Sequence, residues 1–216
     1  FSGALSKIEG KISPECVFAG DLMNQCTSSN YGLAGFEIPY IGLYGACSTC
    51  AESIALASLT VSAGYAKAAG AVTSSHFCSA ERQFRFPLEY GGQRTPTSQH
   101  TVTASGAFVI SEKVCAAQIS EIMLGTVRDG GIKDINNMGA AMAPAAIDTL
   151  CGYFEKSGTR PSDFDLIVTG DLGYEGYSIV KELMAKRGIK LGDNYNDCGL
   201  IVYDRENQDM HAGGSG

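Results

Sequence analysis

The feature that most constrains the fold of this chain is an internal repeat. The octapeptide Glu15-Cys-Val-Phe-Ala-Gly-Asp-Leu22 returns 150 residues later as Asp165-Leu-Ile-Val-Thr-Gly-Asp-Leu172. Each copy follows a Ser/Pro turn, and each precedes a stretch of helical composition, 27–35 in the first copy and 178–186 in the second, that leads into an apolar run. A shared Gly-Asp-Leu alone would carry little weight. The same flanking order in register means that one β-α-β unit occurs twice in the chain, and this predicts a duplicated α/β architecture with pseudo-twofold symmetry.

The rest of the chain keeps the alternation. Short apolar runs rich in β-branched residues and bounded by Gly or Pro read as buried strands at 16–19, 40–44, 69–73, 107–110, 166–169 and 199–203. Helical periodicity fills 47–63, stopped by Gly64, and 140–156, stopped by Gly158; Gly188 closes the stretch at 178–186. Strand and helix in succession argue for a sheet covered on both faces. Residues 1–216 are expected to form one domain, its first half about 1–135 and its second about 136–216. The start at Phe1 and the glycine-rich end are read as cuts, with part of each half lying outside the chain.

Composition excludes several classes of function. At 44% hydrophobic and 18% charged residues the chain can bury a core, so disorder is not expected. A net charge of -7 and the lack of a Lys/Arg run give nucleic acid nothing to bind. The longest apolar stretch, 140–146, is far short of the roughly 20 residues that cross a bilayer, so no transmembrane segment is expected. Eight cysteines lie scattered in apolar segments rather than in the spacing of a disulfide framework, which suits a reducing compartment. Cys47-x-x-Cys50 lacks the second ligand pair that a metal site requires, so neither a metal nor a cofactor is expected.

The chemistry concentrates at Tyr44-Gly-Ala-Cys-Ser-Thr49, where a strand turns sharply into a helix of small residues. Cys47 stands at the mouth of that helix. Unpaired amides and the positive end of the helix dipole there can stabilise a thiolate or hold a carboxylate. A buried structural cysteine in a tight turn is the alternative.

The strand, the Ala-Cys elbow and the small-residue helix resemble the nucleophile region of thiolases and 3-oxoacyl-(acyl carrier protein) synthases, whose fold is two repeated halves. In those enzymes the second half supplies a His and an Asn that donate to the thioester oxygen. Lining up Asp165-Leu-Ile-Val-Thr-Gly-Asp171 with the His loop puts Gly170 at the His position, and Gly213-Gly-Ser-Gly216 over the Asn turn puts Gly214 at the Asn position. Losing one such donor typically costs about a hundred- to thousandfold in rate, so no catalytic residue is expected. An active acyltransferase or condensing enzyme with Cys47 as nucleophile is the alternative.

Longer phrases narrow the resemblance. Ala19-Gly-Asp-Leu-Met-Asn-Gln25, Gly45-Ala-Cys-Ser-Thr49, Thr73-Ser-Ser-His76, Ala80-Glu-Arg-Gln-Phe-Arg85, Glu89-Tyr-Gly-Gly-Gln93, Met138-Gly-Ala-Ala-Met-Ala-Pro144 and Asp197-Cys-Gly-Leu200 resemble the stage V sporulation protein AD family of endospore-forming bacteria. The resemblance implies a thiolase-like fold and a non-catalytic protein that binds dipicolinic acid (pyridine-2,6-dicarboxylate) for its uptake into the developing spore. It further implies membrane proteins of the same sporulation operon as partners, calcium only as a companion of dipicolinate, a homodimer, and a place in the developing spore, soluble or peripheral at the inner spore membrane.

A small planar dianion needs donors, positive charge and an apolar wall. The amides of Cys47, Ser48 and Thr49 offer the first. His76 follows a strand end, and Arg82 and Arg85 are spaced to share a helix face, with Phe84 and Phe86 between and beside them. The arginines either join the site or pair with Glu81 and Glu89 on a solvated face. Asp21 and Asp171 stand after the paired strands, where ligand crevices open in α/β sheets; each either contacts the ligand or calcium, or caps the next turn.

Overall fold

The computed structural model describes residues 1–8, 12–84, 88–113 and 117–216. Arg85 and Phe86 lie outside these residues. The chain divides into two compact units, the first made of residues 1–91, 103–122 and 216, the second of 92–102 and 123–215. In chain order the strands are β1 (Cys16–Gly20), β2 (Tyr40–Leu43), β3 (Ala68–Ser75), β4 (His100–Thr101), β5 (Ala104–Ser111), β6 (Ile167–Thr169), β7 (Tyr195–Asp197) and β8 (Gly214–Ser215). The helices are α1 (Ser2–Ser6), α2 (Thr27–Leu33), α3 (Thr49–Ser62), α4 (Phe77–Phe84), α5 (Met138–Ser157), α6 (Gly173–Lys186) and α7 (Cys198–Ile201).

The first unit holds a four-stranded sheet in the order β2-β1-β3-β5, parallel except for β5, which runs antiparallel to β3. Strand β1 carries the apolar run Val17-Phe-Ala-Gly20, all four residues buried. Helix α3 lies against it with Thr49, Ser53, Ala57 and Val61, one every fourth residue, on the buried face. Small side chains let that helix come close. A Cβ on Gly20 would collide with the Leu43 carbonyl and stand 2.8 Å from Thr49 Cγ2, so only glycine fits where β1 ends. Phe18, Leu43, Ala57, Val61, Ala69 and Ala71 form the core.

In the second unit β6 and β7 pair in parallel, and β4 pairs in parallel with β8. Helix α5 starts at Asn137, whose Oδ1 accepts from the Ala140 amide at 3.0 Å, and ends on Gly158 at φ 69, an unstrained left-handed stop. Its Gly139 crosses α6 so closely that a Cβ there would collide with the Leu172 carbonyl. The core is Ala143, Ile147, Phe154, Ile167, Leu172, Val180, Met184, Leu191 and Tyr195. Burial of Tyr195 pushes its pKa up to about 12, so it stays a neutral hydroxyl facing Thr169 at 3.1 Å. The order β6-α6-β7-α7 repeats the order β1-α2-β2-α3 of the first unit, and this is the duplication that the two octapeptides announce.

Three expectations are corrected. The apolar run at 199–203 is no strand: the strand lies just before it, at Tyr195–Asp197, and α7 follows. The cause is Asp197, whose Oδ1 accepts from the Gly199 amide at 2.9 Å and caps a helix where composition suggests a strand. Helix α6 begins five residues earlier than 178, at Gly173, because its early glycines, poor helix formers, are demanded by contacts with Ala212 and Gly139. The stretch at 27–35 is split into α2 and a 3-10 turn, Ala34–Phe36.

Candidate functional site

The elbow of the first unit takes shape between β2 and α3. After Leu43 the chain turns through Gly45, and Ala46 adopts φ 48, a left-handed conformation uncommon for a residue with a side chain. A single 3-10 turn, Ala46–Ser48, then feeds α3. Cys47 is half-buried and Ser48 exposed, the Ser48 hydroxyl donating to the Gly45 carbonyl at 2.8 Å. Thr49 is wholly buried, and its Oγ1 has no hydrogen-bond partner among the described residues. Glu52, in the first turn of α3, folds back over the turn, and a Cβ on Gly45 would collide with its carboxylate. This chain thus carries its own anion at the helix mouth.

His76 is placed elsewhere on the same sheet edge. It is exposed at the end of β3 and precedes α4, whose Phe77 amide donates to Thr103 Oγ1 at 2.9 Å. A cavity of about 380 Å3 opens there, lined by His76, Ser74, Ser75, Ser79, Thr103 and Ser105 together with Asp21, Leu22, Ser28 and Ala104. Its lining takes in the residues just after β1 and the last two of β3, at the carboxyl edge at which α/β sheets take their ligands. None of the described residues lining it belongs to the elbow at 47–49. Arg82 is exposed in the last turn of α4 and is not among its lining residues.

Of the two readings of Asp21, the structure supports the cap. Its buried carboxylate accepts from the Met23 amide, the Ser29 amide and the Ser29 hydroxyl, each at 2.7 Å, and so fixes the entry to α2. Asp171 is half-buried in the second unit, its carbonyl receiving the Gln99 amide at 2.8 Å.

The loops bearing Gly170 and Gly214 differ from each other. Gly170 is exposed, with nothing within 4 Å of where a Cβ would stand. Gly214 is buried, and it lies in β8 rather than in the turn expected of it; a Cβ there would stand 2.5 Å from Val202 Cγ1 and 3.0 Å from Val102 Cγ2.

Two residues that organise this region escape sequence reasoning. The Asp197 carboxylate is fully buried and takes four donors: Thr169 Oγ1 at 2.7 Å and the amides of Leu172, Gly173 and Gly199 at 3.2, 2.9 and 2.9 Å. Burial pushes its pKa up, and the four donors oppose that push. The Asp-x-Gly spacing before α7 is a helix-cap signal that could have revealed it. Gln99 Nε2 bridges the Asp171 and Gly214 carbonyls at 2.8 and 2.7 Å, a link that no local pattern signals. Among the described residues no three His, Cys, Asp or Glu side chains converge to hold a metal ion, and no helix is long and apolar enough to cross a membrane.

The family model of stage V sporulation protein AD matches residues 4–216. The chain belongs to that family. Stage V sporulation protein AD of Bacillus subtilis (strain 168) is 47% identical over 202 residues, which cover 94% of this chain and 60% of the relative, so the chain spans about 60% of that protein's length. Among solved structures, 3-oxoacyl-[acyl-carrier-protein] synthase III of Aquifex aeolicus superposes with a TM-score of 0.56 at 13% identity, covering 94% of this chain and 64% of its own. The synthase III of Thermus thermophilus gives 0.56 at 14% identity, covering 99% and 66%. At such identities the likeness establishes the fold alone: the stage V sporulation protein AD family member has the architecture of the condensing enzymes.

Proposed function

We propose that this chain is the core of a protein that binds dipicolinate without turning it over, as part of its delivery to the developing spore. The reading rests on the two positions that the sequence resemblance aligns with the condensing enzymes' donors: Gly170 bears no side chain and Gly214 is boxed in by two valines, so neither presents a donor to a developing oxyanion. What remains suits retention. The cavity beside His76 offers an imidazole and the hydroxyls of Ser74, Thr103 and Ser105 to a small dianion that the net charge of -7 would otherwise repel, while those of Ser28 and Ser79 donate to Met23 Sδ and the His76 carbonyl. The elbow contributes less than its sequence promises, because the Ser48 and Thr49 amides already donate to the Gly45 and Ala46 carbonyls and Glu52 lies over the turn. Membrane proteins of the same operon are the proposed partners, with calcium accompanying the ligand and the protein acting as a homodimer.

Equilibrium dialysis of the full-length protein against dipicolinate tests the assignment. His76→Ala is expected to raise Kd about tenfold or more, the loss of one hydrogen bond to a charged group. An unchanged Kd would remove His76 from the site. Acyl transfer at Cys47 is the second reading, favoured by the strained Ala46 and the half-buried thiol at the start of α3. Intact-mass analysis after exposure to an acyl thioester separates the two, because only the enzyme reading predicts a Cys47 adduct that forms and then discharges product.

A further inference from the structure

The loop that carries β1 into α2 is built around a buried cysteine that the proposed function does not use. This loop gives Asp21, Leu22 and Ser28 to the lining of the cavity beside His76. The Asp21 carboxylate accepts from Met23 near one end of the loop and from Ser29 at the other. Between them Gln25 and Cys26 both take a left-handed backbone, φ 58 and 54, which residues with side chains seldom adopt twice in succession. With that backbone the Cys26 side chain is buried, and its thiol donates to the Leu43 carbonyl at 2.9 Å, 17 residues further along the chain. Leu43 is the last residue of β2, and the turn after it is the elbow that bears Cys47.

The surroundings are shaped for this contact. The Tyr40 hydroxyl bonds to the Cys26 thiol and to the Ser29 hydroxyl, and lies 3.5 Å from the Ala19 carbonyl. Gly42 leaves the room, since a Cβ there would stand 3.0 Å from the Tyr40 hydroxyl oxygen and 3.5 Å from the Cys26 sulfur. Burial, reinforced by the Asp21 carboxylate, pushes the Cys26 thiol up, and burial pushes Tyr40 up to about 12, so both keep the hydrogens they donate. A polar chain thus runs from Asp21 through Ser29, Tyr40 and Cys26 to Leu43. We infer that Cys26 is a positioning residue that ties the cavity beside His76 to the Cys47 elbow, its thiol fixing the loop that lines the one to the strand that feeds the other. Its bearing on ligand binding rests on the reading of that cavity as the dipicolinate site. A loop held in two left-handed conformations against a weak thiol donor relaxes when that donor is lost, and the cavity lining and the turn after Leu43 lose their common anchor.

Alkylation of Cys47 by iodoacetamide in the full-length protein, resolved by peptide mass, reads the tether without any ligand. Cys26→Ala is expected to raise the Cys47 rate about fivefold or more, the low end of couplings between sites. Cys26→Ser brings a hydroxyl within reach of the same carbonyl and should stay within about twofold of the wild type. Should the alanine variant fail to fold, Tyr40→Phe, which keeps the ring and removes only the hydroxyl, should raise the rate about threefold. Ile110→Ala weakens the core of the same unit away from the tether, and should leave the rate within about twofold. A Cys47 rate unmoved by the loss of the thiol or the hydroxyl would overturn the tether. So would an Ile110→Ala protein that reacts as fast as Cys26→Ala, because loosening of the whole unit would then be the cause. Equilibrium dialysis gives the second readout: Cys26→Ala should weaken dipicolinate binding about threefold or more, and equal Kd values would overturn the hold on the cavity. Failure of dipicolinate to bind the wild type would instead refute the proposed function, and the alkylation rates would still decide the tether.

Discussion

Asp197→Ala is expected to destabilise the second unit by about 3–5 kcal/mol, the cost of stranding buried donors that lose a shared carboxylate. Thr169 Oγ1 and the amides of Leu172, Gly173 and Gly199 all end on this one side chain, which pins the end of β6, the start of α6 and the start of α7 together. Asparagine separates the charge from the geometry. With its oxygen at the Oδ1 position, Asp197→Asn keeps the Gly173 and Gly199 amides satisfied. Its NH2 group then faces Thr169, whose hydroxyl can turn to accept, and Leu172, whose amide also bonds the Gly170 carbonyl at 2.9 Å. A loss of about 1–2 kcal/mol, well below that of alanine, is therefore expected from urea denaturation. Equal losses for the two variants would mean that the charge, rather than the set of acceptors, does the holding.

Placing His at 170 and Asn at 214, the residues that the resemblance to condensing enzymes would put there, should give sharply unequal results. Gly170→His enters open space on an exposed loop and should change stability by less than about 0.5 kcal/mol. Gly214→Asn places a Cβ 2.5 Å from Val202 and 3.0 Å from Val102, and buries an amide between two valines. Overpacking and an unpaired polar group together should cost about 3 kcal/mol or more, visible as a fall in Tm of several degrees. If both variants are equally stable, the packing around β8 has been misjudged. If the double variant Gly170→His, Gly214→Asn folds well and gains condensing activity, the chain lacks only two side chains to be an enzyme.

Much of the scaffold is legible in the residues, for a physical reason. Strand β1, strand β2 and helix α3 are each set by a local run, apolar or small, whose burial is decided within a few residues. The pairing of β4 with β8 is different. Gln99 binds the Gly214 carbonyl across 115 residues, and the His100–His211 stack has no counterpart in the spacing of either segment. The reading of 199–203 as a strand fails for a related reason. Gly-Leu-Ile-Val-Tyr carries strand propensity, but its fate is decided by one buried cap at Asp197 that also serves Leu172 and Gly173. The site was legible in its parts and not in its grouping. Composition and spacing single out Cys47 and His76, whereas only the turn of β3 into α4 places His76 in a serine-lined cavity that the elbow does not line.

Calorimetric titration of the full-length protein with dipicolinate tests the central claim most directly. The account predicts a saturable heat, with the ligand recovered chemically unchanged from the complex. Heat no larger than that of dilution across the titration would contradict it.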